Sequence, residues 1–363
     1  MKRTDIAIIG GGPAGLCASI AAAKMGAKVT LIERNSTLGG QLVKQTHMFF
    51  GSQKQYASTR GIDICKILDN EVNKYDNIEV LTNTTVLGMY EDGVITLDCN
   101  GSYKKMLPSR IIVATGASEK YLPFANNDLP GIYGAGAVQT LMNVYGVKPA
   151  DSVVMVGAGN IGLIVSYQLM QAGVSVNAII DAAPSIGGYL VHASKVARLG
   201  VPILTSTTVK SAHGKEYITG ITTVKLDDKW QEIEGSESYL PCDNLCISVG
   251  LSPLAELLWQ IGCEMKYVPT LGGFVPTRDN HLKTSIDSVY VAGDVAGIEE
   301  ASSAMVEGSI AGLCASRSIG LTMTDYDKVL ADYIEQSNSL RRGPVGDKIR
   351  QGLAQVEIGG QTK

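Results

Sequence analysis

Three absences narrow the class of protein to which this 363-residue chain belongs. No apolar run reaches the roughly 18 residues of a membrane-spanning helix, so no transmembrane segment is expected. With a formal net charge of −4, the chain offers no basic surface for nucleic acid. The seven cysteines are odd in number and irregularly spaced, which favours reduced thiols in a cytoplasmic protein over a disulfide framework. No metal site is predicted.

Charged residues are also scarce, at 18% against about 25% in a typical soluble domain, whereas glycine is abundant, with 41 residues. This balance is typical of parallel sheets that are covered on both faces and joined by tight turns. At about 150 residues per domain, the length predicts two or three domains.

The stretch from Asp5 to Arg34 carries the first functional signal, a buried strand followed by a glycine turn, a helix and a second strand. A G-x-G-x-x-G pattern permits a sharp turn, close approach of a pyrophosphate and close packing of the helix. It is formed here by Gly10, Gly12 and Gly15. Glu33 ends the second strand about 20 residues on, where a carboxylate meets a ribose hydroxyl. The combination predicts a dinucleotide site, and the alternative is an ordinary glycine-rich turn.

The same pattern recurs later in the chain, in a strand that begins at Ser152 and a second strand that ends before Asp181. Its turn contains Gly157, Gly159 and Gly162. Two copies of so complex a pattern predict two dinucleotide sites in one chain.

Asp181 also bears on the choice of nicotinamide nucleotide. A carboxylate accepts hydrogen bonds from a 2′-hydroxyl, whereas each unit charge on a 2′-phosphate about 4 Å away costs roughly 4 kcal/mol. No Arg or Lys follows Asp181 before Lys195. The sequence therefore favours NAD(H) over NADP(H).

Short β-prone runs at residues 77–107 are broken by Asp92-Gly93 and Asn100-Gly101, dipeptides that favour hairpin turns. We expect a three-stranded antiparallel meander there, followed by a separate buried strand at 111–116. Residues 244–250 repeat that buried strand in the second copy. The predicted fold class is α/β, with two Rossmann-like domains that each contain a parallel sheet and an inserted antiparallel β-meander.

An apolar strand at 288–294 ends in Gly293-Asp294, and a helix is predicted from about 300 to 316. Ligands of open α/β sheets bind at the carboxyl ends of strands, so we expect Asp294 to contact a ligand. The alternative is a helix-capping carboxylate. The predicted domains are 1–120 with 272–320, then 121–271, and a C-terminal helical arm at 321–363. This arm is either a packing or partly mobile arm or a contact with another chain.

Together these motifs resemble the two-dinucleotide-binding-domain flavoproteins, the pyridine nucleotide-disulfide oxidoreductase superfamily that includes thioredoxin reductase and glutathione reductase. The resemblance rests on GGGPAG with Glu33, GGQL at 39–42, VATG at 113–116, GAGNIG at 157–162 and YVAGD at 290–294. It implies an FAD-dependent, NAD(P)H-linked enzyme, with FAD in the domain of 1–120 and 272–320 and NAD(H) in that of 121–271. The residues that it places at the cofactors are Gly10, Gly12, Pro13, Ala14, Gly15, Glu33, Arg34, Gly40, Gln41, Val86, Thr115, Gly116, Gly157, Gly159, Asn160, Ile161, Gly162, Asp181, Gly250, Gly293, Asp294 and Ala304.

The chain departs from these relatives in lacking their redox dithiol. No C-x-x-C precedes the second glycine motif, and no cysteine pair follows Glu33. Cys242 and Cys246 are close in sequence, but Cys246 lies in a predicted buried strand and is expected to be structural. We expect the flavin itself to carry the chemistry. His47 is the one side chain considered for a catalytic role, and the alternative is a packing histidine.

Two segments, GIYGAGAVQTLMNVYGVKP at 131–149 and IGGYLVHASKVARLGVPI at 186–203, look like those of the flavoprotein subunits of amine and amino-acid dehydrogenase complexes. That group includes the α subunit of heterotetrameric sarcosine oxidase, opine and D-hydroxyproline dehydrogenases, and hydrogen cyanide synthase. In it a partner chain oxidises the C–N bond and this type of chain relays electrons. The resemblance thus implies an oligomer with a second flavoprotein dehydrogenase subunit.

From Gly320 onward the chain contains no cysteine, so any iron–sulfur cluster would lie on a separate chain. Two other functions stay open. One is a free-standing NADH:acceptor reductase similar to ferredoxin or thioredoxin reductase. The other is a non-catalytic bridging subunit that holds a nucleotide without hydride transfer.

Overall fold

The computed structural model describes residues 1–358 and divides the chain into two compact units. The first unit comprises residues 1–118 and the described residues from 251 onward, and the second comprises residues 119–250. The second unit is therefore an insertion in the first. The chain returns to the first unit earlier than the predicted boundary at 272, because Leu258, Ile261 and Cys263 are buried in a core of that unit.

The N-terminal part of the first unit begins with the predicted strand, helix and strand. Its elements are β1 (Lys2–Ile9), α1 (Pro13–Lys24), β2 (Val29–Ile32), α2 (Gly61–Val72), β3 (Ile78–Leu81), β4 (Thr84–Met89), β5 (Ile95–Cys99), β6 (Ser102–Val113) and β7 (Ala117–Glu119). Two 3-10 helices, Gly40–Lys44 and Gln53–Gln55, lie between β2 and α2. Helix α1 begins at Pro13, because the fixed φ of proline suits the first helical position.

Strands β1 to β6 form a sheet in the order β3-β2-β1-β6-β5-β4. Strand β6 changes partners along its length, pairing antiparallel with β5 up to Met106 and parallel with β1 from Met106 to Val113. The expectation of a meander strand separate from the buried strand at 111–116 is therefore wrong, since one strand of 12 residues serves both purposes. Pro108, which has no N–H to donate, lies just beyond the last pair with β5.

Both faces of this sheet are buried, because alternate residues of a strand point to opposite sides. Ile6 and Ile8 belong to the core cluster that contains residues of α1 and α2, and Ala7 and Ile9 belong to a second cluster. This explains why the run at 6–9 is apolar throughout.

The second unit repeats the plan with two separate sheets. Its elements are β8 (Ile132–Gly134), α3 (Ala135–Asn143), β9 (Ser152–Val156), α4 (Asn160–Gln171), β10 (Ser175–Ile180), α5 (Leu190–Arg198), β11 (Ile203–Leu204), β12 (Thr207–Gly214), β13 (Ile218–Lys225), β14 (Ser238–Pro241) and β15 (Asn244–Ile247). A parallel sheet has the order β11-β10-β9-β15-β8, and β12, β13 and β14 form an antiparallel sheet. Alternate residues of β9 again enter two different cores.

The chain then completes the first unit. The remaining elements are β16 (Leu251–Pro253), α6 (Glu256–Gln260), β17 (Met265–Val268), β18 (Gly273–Pro276), β19 (Val289–Val291), α7 (Ala301–Ser318), α8 (Tyr326–Leu340) and α9 (Gly343–Ala354). Strand β19 pairs in parallel with β6 and joins the first sheet. Short 3-10 helices occupy Pro269–Leu271 and Asp294–Ala296.

Helix α7 packs on α1 through glycines. A Cβ on Gly308 would lie well under 3.0 Å from the carbonyl oxygen of Ala14, and one on Gly312 would meet that of Ala18 in the same way. Because the obstructing atoms belong to the backbone, no side-chain movement relieves them. The close approach of these two helices therefore requires glycine at both positions.

The C-terminal helices pack on the first unit. Leu330 of α8 is buried in its core, and Asp332 forms an ion pair with Lys54. Helix α9 packs through Ile349 and Leu353 on a small cluster that includes Leu271. Over its described part, the arm predicted at 321–363 therefore packs on the first unit, and its contact with another chain stays a prediction. Its last residues, 359–363, lie outside the described residues.

Replacing Gly308 tests the close packing of α1 and α7. In an ordinary helix a Gly→Ala change stabilises by up to about 1 kcal/mol. Gly308→Ala should instead destabilise by about 1–3 kcal/mol, because the helices must separate. Denaturant unfolding measures the difference, with Gly187→Ala as the control, since a Cβ there meets nothing within 4 Å. Equal stability of G308A and the wild type would contradict this packing.

Candidate functional site

The first glycine turn permits glycine alone at two of its positions. Gly10 has a φ of +109°, and a Cβ there would lie well under 3.0 Å from the carbonyl oxygen of Ala114. A Cβ on Gly15 would collide with the carbonyl oxygen of Gly10. Gly12 is different, because its Cβ would meet only the Cα of Gly40, at 3.8 Å. The backbone at Gly12 is therefore open to a ligand.

Helix α1 starts directly after this open position. Its N-cap is Gly12, no side chain caps it, and Pro13 occupies its first turn. The first N–H groups of a helix lack intrahelical partners and carry partial positive charge, which suits a phosphate. Gly12 and the start of α1 thus form a cradle of open backbone that no side chain fills.

Glu33 directly follows β2 and contacts the glycine turn. Its Oε2 accepts the N–H of Gly11 at 2.7 Å, and its Oε1 accepts both the backbone N–H and the side-chain amide of Asn35 at 2.8 Å. Glu33 as a whole is 5% exposed. These bonds fix it beside the turn, at the position predicted for the acid. Arg34, the next residue, is exposed.

A second pair of glycines closes on the first turn. The N–H of Gly39 donates to the carbonyl oxygen of Gly11 at 2.7 Å. Gly40 has a φ of +52°, and a Cβ there would lie 2.8 Å from the Cα of Gly12. The structure therefore brings the predicted residues Gly12 and Gly40 together in a groove without side chains. Gln41 follows Gly40 and is exposed.

Three other predicted positions lie after or within strands of the first sheet. Thr115 and Gly116 follow β6, and Thr115 donates its hydroxyl to the carbonyl oxygen of Leu254 at 2.7 Å. Val86 lies in β4 with its side chain packed against a core of the sheet. Its proposed contact is through the backbone, and it stays a prediction.

Gly293 and Asp294 follow β19 at the same edge of the sheet. Gly293 adopts φ 77° and ψ −157°, a conformation essentially reserved for glycine, and its N–H donates to Glu307 Oε2 at 2.9 Å. A Cβ there would lie 3.0 Å from that of Ala14 and 3.4 Å from that of Ala304. The predicted residues Ala14, Gly293 and Ala304 therefore meet at one point.

Asp294 does not cap helix α7. The N-cap of α7 is Glu300, without a side-chain cap, and Asp294 instead begins a 3-10 turn in which its Oδ1 accepts the N–H of Glu299 at 3.3 Å. The helix-capping alternative is wrong. Burial raises the pKa of Asp294 to about 7; the nearby carboxylates of Glu307, Glu299 and Glu300 also raise it, and the bond from the Glu299 N–H opposes them. Near neutral pH this carboxyl can donate or accept a hydrogen bond.

The second turn reproduces the first. Gly157 also has a φ of +109°, and its Cβ would collide with the carbonyl oxygen of Ser248. A Cβ on Gly162 would collide with the carbonyl oxygen of Gly157, whereas one on Gly159 would meet nothing within 4 Å. Gly159 is also the N-cap of α4, without a side-chain cap. This is a second cradle.

Asp181 holds the second turn as Glu33 holds the first. Its Oδ2 accepts the N–H of Ala158 at 2.6 Å, and its Oδ1 accepts that of Ala183 at 2.8 Å. Ile161 is 41% exposed at the start of α4. Gly250, with a φ of +115°, ends the unit and accepts the N–H of Lys120 at 3.0 Å.

Sequence reasoning missed a glycine pair at the second turn, Gly187 and Gly188. The N–H of Gly188 donates to the carbonyl oxygen of Ala158 at 2.9 Å, and its Cβ would lie 2.9 Å from the carbonyl carbon of Gly159. The predicted Asn160 accepts the N–H of Tyr189 at 2.8 Å through Oδ1. The signal was present, since STLGG at 36–40 and PSIGG at 184–188 follow the two acids at the same distance.

Thiol and imidazole groups add little to either cradle. All seven cysteines are free. Burial raises the pKa of Cys246, and burial raises that of Cys242 to about 11, so neither supplies a thiolate readily. His47 stacks on Phe49, with ring centroids 5.7 Å apart. Within residues 1–358, no group of three His, Cys, Asp or Glu side chains is arranged for a metal ion, and no helix is long and apolar enough to cross a membrane.

Two nucleotide cradles on separate Rossmann-like units define a class of dinucleotide-dependent oxidoreductases. The chain belongs to the pyridine nucleotide-disulphide oxidoreductase family, whose model matches residues 4–308. It is accordingly an FAD-dependent oxidoreductase, and the resemblance and fold class predicted from its sequence are confirmed.

Relatives and solved structures agree with this assignment. One of the opine oxidase subunits of Agrobacterium tumefaciens is 27% identical over 338 residues, which cover 88% of this chain and 67% of that one. The HcnB subunit of hydrogen cyanide synthase from Pseudomonas protegens is 27% identical, covering 97% and 79%. The chain spans only 37% of the alpha subunit of sarcosine oxidase from Rhizobium meliloti, at 24% identity. The structure of T. acidophilum thioredoxin reductase has the same fold, with a TM-score of 0.72, 21% identity and coverage of 87% and 99%.

The pKa of Asp294 predicts how stability depends on pH. The unfolded chain loses this proton near 3.8 and the folded flavin-free protein near 7, so the folded state binds more protons between these values. Its stability contribution therefore falls as pH rises from about 4 to 7, by at most about 4 kcal/mol. Asp294→Asn removes the titrating carboxyl and with it this loss of stability at higher pH. The Tm of D294N relative to the wild type should rise between pH 5 and 8, and a difference independent of pH would contradict the buried carboxyl.

Proposed function

We propose that the first unit binds FAD, that the second binds NAD(H), and that the flavin exchanges electrons with a partner protein. On this proposal the chain is the flavoprotein subunit of an amine or amino-acid dehydrogenase complex. The observation that carries it is the repeated cradle, in which an open glycine precedes an uncapped helix and an acid at the next strand holds the turn.

Several residues of the first unit would hold FAD. Gly12, Gly40 and the start of α1 offer backbone to the diphosphate. Glu33 would accept a hydrogen bond from the adenosine ribose, and Asp294 would bond a ribityl hydroxyl. When bound, FAD supplies the hydride chemistry at its ring, and the protein orients it and excludes water.

The second unit would present NAD(H) in the same way. Gly159 leaves room for the diphosphate, and the Asp181 carboxylate favours a 2′-hydroxyl over a 2′-phosphate. The absence of a basic residue between Asp181 and Lys195 supports the same choice.

The partner is inferred from chemistry and from relatives. Burial raises the pKa of the Cys242 and Cys246 thiols. This pair therefore does not match the reactive dithiol that a thioredoxin reductase needs. Relatives named as subunits of opine oxidase, sarcosine oxidase and hydrogen cyanide synthase support a second chain that oxidises a C–N bond. An iron–sulfur cluster would lie on a further chain.

Anaerobic mixing with NADH tests the hydride step. Rapid bleaching of the flavin supports a reductase, and bound nucleotide without bleaching supports a bridging subunit. Isolation of the native complex then decides between the remaining functions. Amine- or amino-acid-dependent flavin reduction in the complex, but not in the isolated chain, supports the dehydrogenase. Turnover of a small acceptor by the isolated chain alone supports a free-standing reductase.

A reciprocal pair of variants assigns the two cofactors. Gly159→Val should slow NADH-dependent flavin reduction by roughly tenfold or more while FAD stays bound. Gly12→Val should weaken FAD binding to a similar degree and leave binding of nucleotide by the second unit intact. Flavin content and NADH titration provide the two readouts. Loss of FAD in G159V would overturn the assignment.

Asp181→Asn tests nucleotide selectivity. The amide preserves size and one backbone hydrogen bond but removes the charge that repels a 2′-phosphate. The ratio of kcat/KM for NADPH to that for NADH should rise by roughly tenfold. A wild-type enzyme that prefers NADPH would refute the selectivity.

A further inference from the structure

A buried group of charges lies directly behind Gly293 and Asp294. Glu307, in the middle of α7, has a side chain 3% exposed. Its Oε2 accepts the N–H of Gly293 at 2.9 Å, and its Oε1 accepts guanidinium N–H groups from Arg278 at 3.0 Å and Arg341 at 2.6 Å. One carboxylate therefore joins two cations to the turn that carries Asp294.

Arg341 comes from the end of α8, in the C-terminal arm. Its guanidinium donates to Glu299 through Nε at 2.9 Å and through Nη2 at 2.6 Å, and Nη1 donates to Ser337 at 2.8 Å. The backbone N–H of Glu299 in turn donates to Asp294. Arg341 thus contacts the carboxylates of both residues that are bonded to the Gly293–Asp294 turn, Glu307 through its carboxylate and Glu299 through its backbone N–H.

Arg341 supplies one of the two positive charges in this group. Three carboxylates, those of Asp294, Glu299 and Glu307, face two guanidinium groups. Burial alone raises the pKa of Glu307, but Arg278 and Arg341 together hold it below its ordinary value. Loss of one guanidinium leaves Glu299 without its cation and adds net negative charge beside Asp294.

The arm that supplies Arg341 lies beyond the part of the chain that the family model matches, which ends at residue 308. The arm is fixed to the first unit by the Lys54–Asp332 ion pair and by a hydrogen bond between Gln55 and Gln336. Helix α8, which ends just before Arg341, is therefore anchored to the first unit.

We propose that Arg341 is a positioning residue for the flavin: with Glu299 and Glu307 it fixes the Gly293–Asp294 turn and offsets the carboxylate charge there. This proposal rests on the proposed binding of FAD by the first unit. FAD carries a negatively charged diphosphate, and reduction adds further negative charge to the ring. An unbalanced carboxylate at this turn therefore weakens FAD binding and disfavours the reduced flavin.

The test uses the purified full-length protein, stripped of flavin and reconstituted with FAD. Arg341→Met should raise the Kd for FAD by about tenfold, the effect of one lost charge-assisted contact, and should make the flavin midpoint potential more negative. Arg341→Lys should recover part of the affinity, because a lysine keeps the positive charge but lacks the planar set of N–H donors of a guanidinium. Arg342→Gln is the matched control, since Arg342 is adjacent but 71% exposed, and it should change the Kd by about twofold or less.

A double variant separates charge from packing. Arg341→Met with Glu299→Gln restores the original net charge, so it should regain much of the FAD affinity and most of the midpoint potential lost in R341M. A purely structural role predicts a double variant no better than R341M. Glu299→Gln alone should shift the midpoint potential to more positive values. This variant replaces R341M as the test if R341M does not fold.

The outcomes distinguish this inference from the function on which it rests. A wild-type protein that fails to bind FAD overturns the proposed function. A wild type that binds FAD, with R341M equal to it in Kd and midpoint potential, overturns the role of Arg341 alone. An unchanged or more negative midpoint potential in E299Q also overturns the role of Arg341.

Discussion

Hydrogen bonds from the backbone of a glycine turn to an acid on the neighbouring strand organise both halves of this protein. Gly11 donates to Glu33 and Ala158 donates to Asp181. In each case the bond holds the turn open at the following glycine and places the carboxylate beside it. The helix that starts there has no side-chain cap, so its first N–H groups are left without a side-chain acceptor. The rest of each unit keeps this arrangement rigid, since the strands that carry it are buried on both faces.

The sequence predicts features that depend on local geometry. Gly10 and Gly157 were identified from the G-x-G-x-x-G spacing, and in the structure each has a positive φ and a carbonyl oxygen where a Cβ would lie. Features that depend on contacts between distant segments left no such signal. The group formed by Arg278, Glu299, Glu307 and Arg341 is assembled from residues at four separate positions of the chain, and no spacing pattern in the sequence predicts it. The partner change within β6 was missed for a similar reason, because both pairings are made by one uninterrupted run of strand-forming residues.

Glu33 and Asp181 hold the two glycine turns in the same way. Glu33 is longer than Asp181, yet each uses both of its oxygens on nearby N–H groups and so keeps a fixed orientation. The difference between the two units lies instead in what surrounds the turn. In the first unit α7 returns to pack on α1 through Gly308 and Gly312, and it brings Glu307 under the turn that carries Asp294.

The position of the insertion has a consequence for how the protein can be dissected. The N–H of Leu254 donates to the carbonyl oxygen of Gly116 at 3.0 Å, so the two points where the chain leaves and re-enters the first unit are neighbours. A short loop that joins Ser118 directly to Leu251 would preserve the order of the first sheet. Such a shortened chain would retain Glu33, Asp294 and Arg341, and would separate the chemistry of one nucleotide from that of the other.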